Sequence, residues 1–159
     1  MDLFTGKEEP LDVLKTAYSL EQGLCEFYID MEKEAKHERV KALFANLSEI
    51  EVKHQMSIYT AYKDISDEEL SKDAFEKMIE IKALEGGLST TEYLDLFSPD
   101  LNSEMEVISL AMSIEAQALD LYQRVSSKIE NPQSKDIINK IANEEKAHLA
   151  VLGKLLDSL

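Results

Sequence analysis

The sequence predicts an all-α protein, a four-helix bundle made of two antiparallel hairpins joined by one long crossover. Three observations predict it. Only five Gly and three Pro interrupt the 159 residues, and Trp is absent. Apolar residues recur every three or four positions through four long segments, which is the period of a helix that buries one face. A shift of 94 residues lays the first hairpin onto the second, so one helical unit is used twice. Two hairpins with a single long connection form the layout of a one-crossover bundle.

The first helix is expected over about residues 10–37, opening at Pro10, whose fixed φ and missing N–H suit a first turn. Its inner stripe is Leu14, Ala17, Tyr18, Leu24, Cys25, Tyr28, Met31 and Ala35. After a tight turn the second helix is expected over about 38–64, with Val40, Leu43, Phe44, Leu47, Ile58 and Ala61 facing inward. The crossover then takes about 65–102. Ser66 with Glu69 reads as a capping box opening a helical stretch to about Leu84, which Gly86-Gly87 stops. Thr90 to Phe97 reads as a further short helix, broken at Ser98-Pro99. A second capping box, Ser103 with Glu106, opens the third main helix over about 103–130, on the stripe Val107, Ile108, Ala111, Ala118, Leu119, Tyr122 and Val125. Asn131-Pro132 opens the fourth over about 132–157, burying Ile137, Ile138, Ile141, Val151, Leu152 and Leu155.

This length with 44% hydrophobic residues supports one domain, residues 1–159, with a sizeable core. No apolar run reaches the roughly 20 residues of a membrane span, and the opening MDLFTGKEEP lacks the regions of a signal peptide. A soluble, cytoplasmic protein is expected. The formal net charge of -15 disfavours nucleic acid and anionic membrane surfaces, both of which need clustered Lys and Arg. Cys25 is the single cysteine, so neither an internal disulfide nor a four-cysteine iron site can form within this chain.

The repeat carries the chemistry. It places Ala17 on Ala111, Ser19 on Ser113, Tyr28 on Tyr122, Leu43 on Ile137 and Leu47 on Ile141. It also places Glu21 on Glu115, Glu51 on Glu145 and His54 on His148. Each hairpin therefore carries a Glu, a second Glu 30 residues on, and a His three further. A three-residue step puts Glu51 with His54, and Glu145 with His148, on one helix face. Glu21 and Glu115 interrupt apolar stripes. Four carboxylates buried together cost several kcal/mol each unless neutralised, on the order of what unpaired buried charges cost elsewhere. Two divalent cations match the four negative charges, and neutral imidazoles complete the ligand set. Mixed oxygen and imidazole ligands suit iron, with manganese or zinc as alternatives. Glu144 also stands four residues before His148, but in the repeat it falls on Ile50, and this selects Glu145. His37 falls in the hairpin turn, and Glu26, Glu32, Glu34 and Glu49 read as surface charges. Tyr28 and Tyr122 lie two turns beyond Glu21 and Glu115 on the same faces, placed to hydrogen-bond a ligand carboxylate or to serve as ordinary core residues.

A Glu from each of two helices and Glu-x-x-His from each of the other two resembles the ferritin-like di-iron proteins. The resemblance covers about Leu11 to Leu156, and the short length with a helical crossover is most similar to the rubrerythrin type. It implies that Glu21 and His54 bind one iron terminally, Glu115 and His148 the other, and that Glu51 and Glu145 bridge. Rubrerythrins carry an extra Glu three residues after the third-helix ligand and a Glu in place of the last His, where this chain has Ala118 and His148. In that respect the ligand set is closer to bacterioferritin. The resemblance implies a di-iron oxidoreductase that reduces hydrogen peroxide or dioxygen with electrons from an external donor such as a rubredoxin, and a homodimer. Two further readings stand beside it: a ferroxidase and iron-storage protein of bacterioferritin type, and a metal-braced helical interaction module without catalysis.

Overall fold

The computed structural model describes residues 9–79, 90–100 and 102–159. Six helices follow in order: α1 (Pro10–Glu34), α2 (Glu38–Ser66), α3 (Lys72–Lys77), α4 (Thr90–Phe97), α5 (Glu104–Lys128) and α6 (Pro132–Asp157). Helices α1 with α2, and α5 with α6, pack as hairpins along their lengths. There is no strand among the described residues, and no described helix is long and apolar enough to cross a membrane.

Helix ends follow local chemistry. Pro10 follows an extended Glu9, and the chain leaves α1 at Glu34 rather than near residue 37 because Ala35 is already extended. Exposed His37 sits at the start of α2, with its Nε2 2.8 Å from the Asn102 carbonyl oxygen. Helix α2 runs to Ser66, two residues past its expected end, and stops at Asp67, which adopts φ 55° and donates its N–H to the Lys63 carbonyl. Asp tolerates that left-handed conformation better than most residues.

This overturns the capping box expected at Ser66 and Glu69. Ser66 is the last helical residue, and its hydroxyl turns back to the Lys63 carbonyl. The cap belongs instead to Ser71, whose Oγ accepts from the Ala74 N–H at 3.1 Å. Helix α3 ends at Lys77 with Met78 and Ile79 already outside the helix, short of the expected end near Leu84; the remainder, with Leu84 and Gly86-Gly87, lies outside the described residues. Ser103 does cap α5, accepting from the Glu106 N–H at 3.3 Å. The box is half made, because the Glu106 carboxylate accepts from the Asp100 N–H rather than reaching back to Ser103.

The core lies in two apolar layers. One joins Val13, Leu14, Ala17 and Tyr18 of α1 to Ile58, Tyr59 and Tyr62 of α2, Ala118, Tyr122 and Val125 of α5, and Ile138 and Ile141 of α6. The other joins Leu24, Phe27, Tyr28 and Met31 to Phe44, Leu47, Val107, Ile108, Ala111, Ile114 and Leu152. Phe75 of α3 is fully buried against the Tyr18, Tyr59 and Tyr62 rings, at centroid distances of 4.9, 5.5 and 4.8 Å. The Tyr18 hydroxyl donates to Glu76 at 2.6 Å and that of Tyr59 to the Leu70 carbonyl, so the start of the crossover is anchored over one end of the bundle. Leu43, Ala61, Leu119, Ile137 and Leu155 are half-buried rather than fully inside, and Val151 is 56% exposed. Val151 adjoins the buried Leu152 and is turned about 100° away from it around the helix.

Candidate metal centre

On every main helix a polar position separates the two apolar layers: Glu21 on α1, Glu51 and His54 on α2, Glu115 on α5, Glu145 and His148 on α6. All four carboxylates are fully buried, and the two histidines nearly so. The six residues that the repeat singles out therefore meet at one level of the bundle.

They form two adjoining groups that share members. Glu21, Glu51, His54 and Glu145 each offer a donor atom, all within 4.8 Å of one another, and so do Glu51, Glu115, Glu145 and His148. Nδ1 of His54 lies 3.1 Å from Glu21 Oε2, 3.1 Å from Glu51 Oε2 and 3.4 Å from Glu145 Oε1. Nδ1 of His148 lies 3.3 Å from Glu145 Oε2 and 3.7 Å from both Glu51 Oε1 and Glu115 Oε1. The imidazole rings stack at 5.3 Å and 16°. Glu51 and Glu145 belong to both groups.

The buried groups act strongly on one another's protonation. Burial, followed by the facing carboxylates Glu21, Glu145 and Glu115, pushes Glu51 well above the ordinary carboxylate range. Glu145 is raised in the same direction by burial and by Glu115 and Glu21. Burial opposes protonation of His54, but the close Glu145 and Glu21 carboxylates outweigh it and raise its pKa to about 10. Glu51 Oε1, Glu115 Oε2, both oxygens of Glu145 and Nδ1 of His148 are buried with no hydrogen bond of good geometry among the described residues. Buried acceptors rarely stay unpaired. Acceptors that face one another without donors fit a bound cation, so the buried carboxylate and imidazole groups are able to hold metal.

The tyrosines connect the halves. The Tyr28 hydroxyl donates to Glu115 Oε1 and the Tyr122 hydroxyl to Glu21 Oε1, each at 2.5 Å. Each tyrosine thus serves the glutamate of the opposite hairpin. Burial and the nearby Glu115 and Glu51 carboxylates raise the Tyr28 pKa well above the ordinary phenol value, so its proton stays in place for donation. Replacing Tyr28 or Tyr122 with Phe leaves a buried carboxylate oxygen short of a donor. Each substitution is expected to lower the stability of the metal-free protein by about 1–3 kcal/mol, measured by urea unfolding; an unchanged midpoint in both would contradict a stabilising role.

One contact was not legible in the sequence. Glu144, considered there only as a rival ligand on the His148 face, approaches the other histidine: its Oε2 lies 2.7 Å from Nε2 of His54. Its side chain is 39% exposed and borders a surface groove of about 490 Å³ between α2 and α6. Ser48 and Gln55, also buried on α2, carried no sequence signal of their own.

A family model described as ferritin-like domain matches residues 10–158. The chain belongs to the ferritin-like domain family. No curated protein matches it. Among solved structures, this ferritin-like domain is similar to "CopM in the Cu(II)-bound form", with 13% sequence identity and a TM-score of 0.59 over 94% of this chain and 96% of that chain. Identity so low carries the likeness of fold alone.

Proposed function

We propose that this ferritin-like domain binds two iron ions per chain and is an oxidoreductase that reduces hydrogen peroxide with electrons from an external donor. One observation carries the reading: two ligand groups share Glu51 and Glu145, which allows a pair of cations to be held side by side. Glu21 with His54, and Glu115 with His148, supply the unshared ligands. Four carboxylates and two imidazoles suit iron or manganese better than a copper site, which favours softer ligands for Cu(I) and tetragonal donors for Cu(II).

When bound, a ferrous pair would supply two electrons, which with two protons from solvent convert one peroxide into two waters. The chain's own residues hold and shield. Glu51 and Glu145 keep the two positions adjacent. Tyr28 fixes Glu115 and Tyr122 fixes Glu21 through their hydroxyls. The apolar layers on either side, with Leu24 and Ile114 in one and Ala118 and Ile58 in the other, limit water and side reactions.

The test is metal analysis by mass spectrometry on protein purified without oxygen, followed by absorption spectroscopy as peroxide or air is added. About two irons per chain and a faster oxidation by peroxide than by air support the proposal. Faster oxidation by air, with many subunits in a closed shell, would favour ferroxidase and storage chemistry. Copper in place of iron would align the chain with its copper-bound structural neighbour. A protein that holds no metal and takes up none would end the metal reading.

A further inference from the structure

The 94-residue repeat relates every ligand in one group to a ligand in the other, yet the residues behind the two histidines differ. Behind His54 stands Glu144, with its Oε2 2.7 Å from Nε2. The repeat places Ile50 where Glu144 would have its mirror image, and Ile50 is a half-buried hydrocarbon with no acceptor. Among the described residues no carboxylate stands behind Nε2 of His148. The distances differ in the same sense, since Nδ1 of His54 lies 3.1–3.4 Å from its three carboxylates and Nδ1 of His148 lies 3.3–3.7 Å from its own.

We propose that Glu144 makes the two metal positions unequal: it is a positioning residue that orients His54 through Nε2, so that the His54 position binds the tighter ion and the His148 position the more easily lost one. The inference rests on the two-ion reading above. With a cation at Nδ1, the neutral ring carries its proton on Nε2 and donates it to Glu144. That bond fixes the tautomer and the ring plane and makes Nδ1 a better donor, an effect that changes metal affinity by about 10–100-fold. Among the described residues Nε2 of His148 has no such carboxylate, and its ring is stacked against His54.

Two ions sharing Glu51 and Glu145 repel one another, so stepwise binding to the native chain is uneven whatever Glu144 does. Variants that keep one position each remove that ambiguity. Metal-free His148→Ala and His54→Ala proteins are titrated with Co²⁺ under nitrogen, by calorimetry and by the visible bands of the bound ion, each with and without Glu144→Ala. Circular dichroism confirms that every variant is folded.

The proposal expects His148→Ala to bind one Co²⁺ about 10–100-fold more tightly than His54→Ala. It expects Glu144→Ala to remove that advantage in the His148→Ala protein and to leave the His54→Ala protein unchanged. Glu144→Asp should restore part of the loss, and Ile50→Glu should tighten the position left in His54→Ala. Equal affinities in the two one-position proteins, or a Glu144→Ala effect of the same size in both, overturn the proposal while leaving the two-ion reading intact. Loss of an ion in native-ligand protein carrying only Glu144→Gln would make Glu144 a ligand and also overturn it. No Co²⁺ uptake by the unsubstituted chain overturns the metal reading and this proposal together.

Discussion

Replacing Glu51 and Glu145 together with Gln is expected to abolish the proposed binding of two metal ions, and the metal-free variant is expected to be more stable than the metal-free parent. Both residues belong to both ligand groups, so neither cation position keeps its donor set. The stability gain follows from the same burial. In the metal-free chain these carboxylates are enclosed beside Glu21 and Glu115, and three of their four oxygens lack a hydrogen bond. Burial and the facing carboxylates penalise ionisation of Glu51 and Glu145, a cost that Gln does not carry, and the Gln amides add donors facing the remaining carboxylates. Metal content by mass spectrometry and urea unfolding in the presence of a chelator measure the two halves of this expectation. A variant that still binds two ions, or whose metal-free form is much weaker than the parent, would show that Glu51 and Glu145 are structural acids.

A redox-inert divalent cation such as Zn²⁺, at saturating concentration, is expected to raise the melting temperature of the parent by about 15–30 °C. That follows from about 4 kcal/mol per ion at a thousandfold excess over its dissociation constant, and about 2–4 °C per kcal/mol for a chain of this size. The effect reverses the response to pH. Glu51 and Glu145 are raised above their ordinary value of 4.5, and His54 is raised from 6.5 to about 10. A group whose folded pKa is raised stabilises the fold below its unfolded pKa and loses that contribution as pH rises towards the folded one. The metal-free protein should therefore melt lower at about pH 9 than at about pH 6, while the loaded protein gains from the same change because its ligands must be deprotonated. The overall negative charge acts in the same direction as the cluster, so the Glu51→Gln, Glu145→Gln variant is the control: its metal-free melting temperature should fall less steeply with pH. Equal slopes in parent and variant would remove the cluster as the cause.

The main helices and the six clustered residues were legible because each leaves a periodic mark. An acid such as Glu21 among Ala17, Leu24 and Tyr28 is conspicuous only against a helical stripe, and the repeat then supplied its partner Glu115. Contacts between helices left no such mark. Spacing placed Tyr28 on the face of Glu21, but which carboxylate its hydroxyl meets depends on how the hairpins dock, and it meets Glu115. Glu144 was weighed along its own helix, where it neighbours His148, whereas packing brings it to His54. The failed cap at Ser66 shows another limit. Ser and Glu three apart satisfy a local rule, but α2 continues through that position, and Asp67 turns the chain instead.

The crossed tyrosine bonds have a consequence for how such a centre comes together. Exchange of the two halves maps Tyr28–Glu115 onto Tyr122–Glu21, so the pairing is unchanged by the swap. Neither hairpin on its own can complete even one of these bonds, because donor and acceptor always come from opposite halves. Self-recognition is thus written into a single helical pair: two copies of it, docked face to face, would satisfy each other's buried acids in the manner that the joined chain does internally.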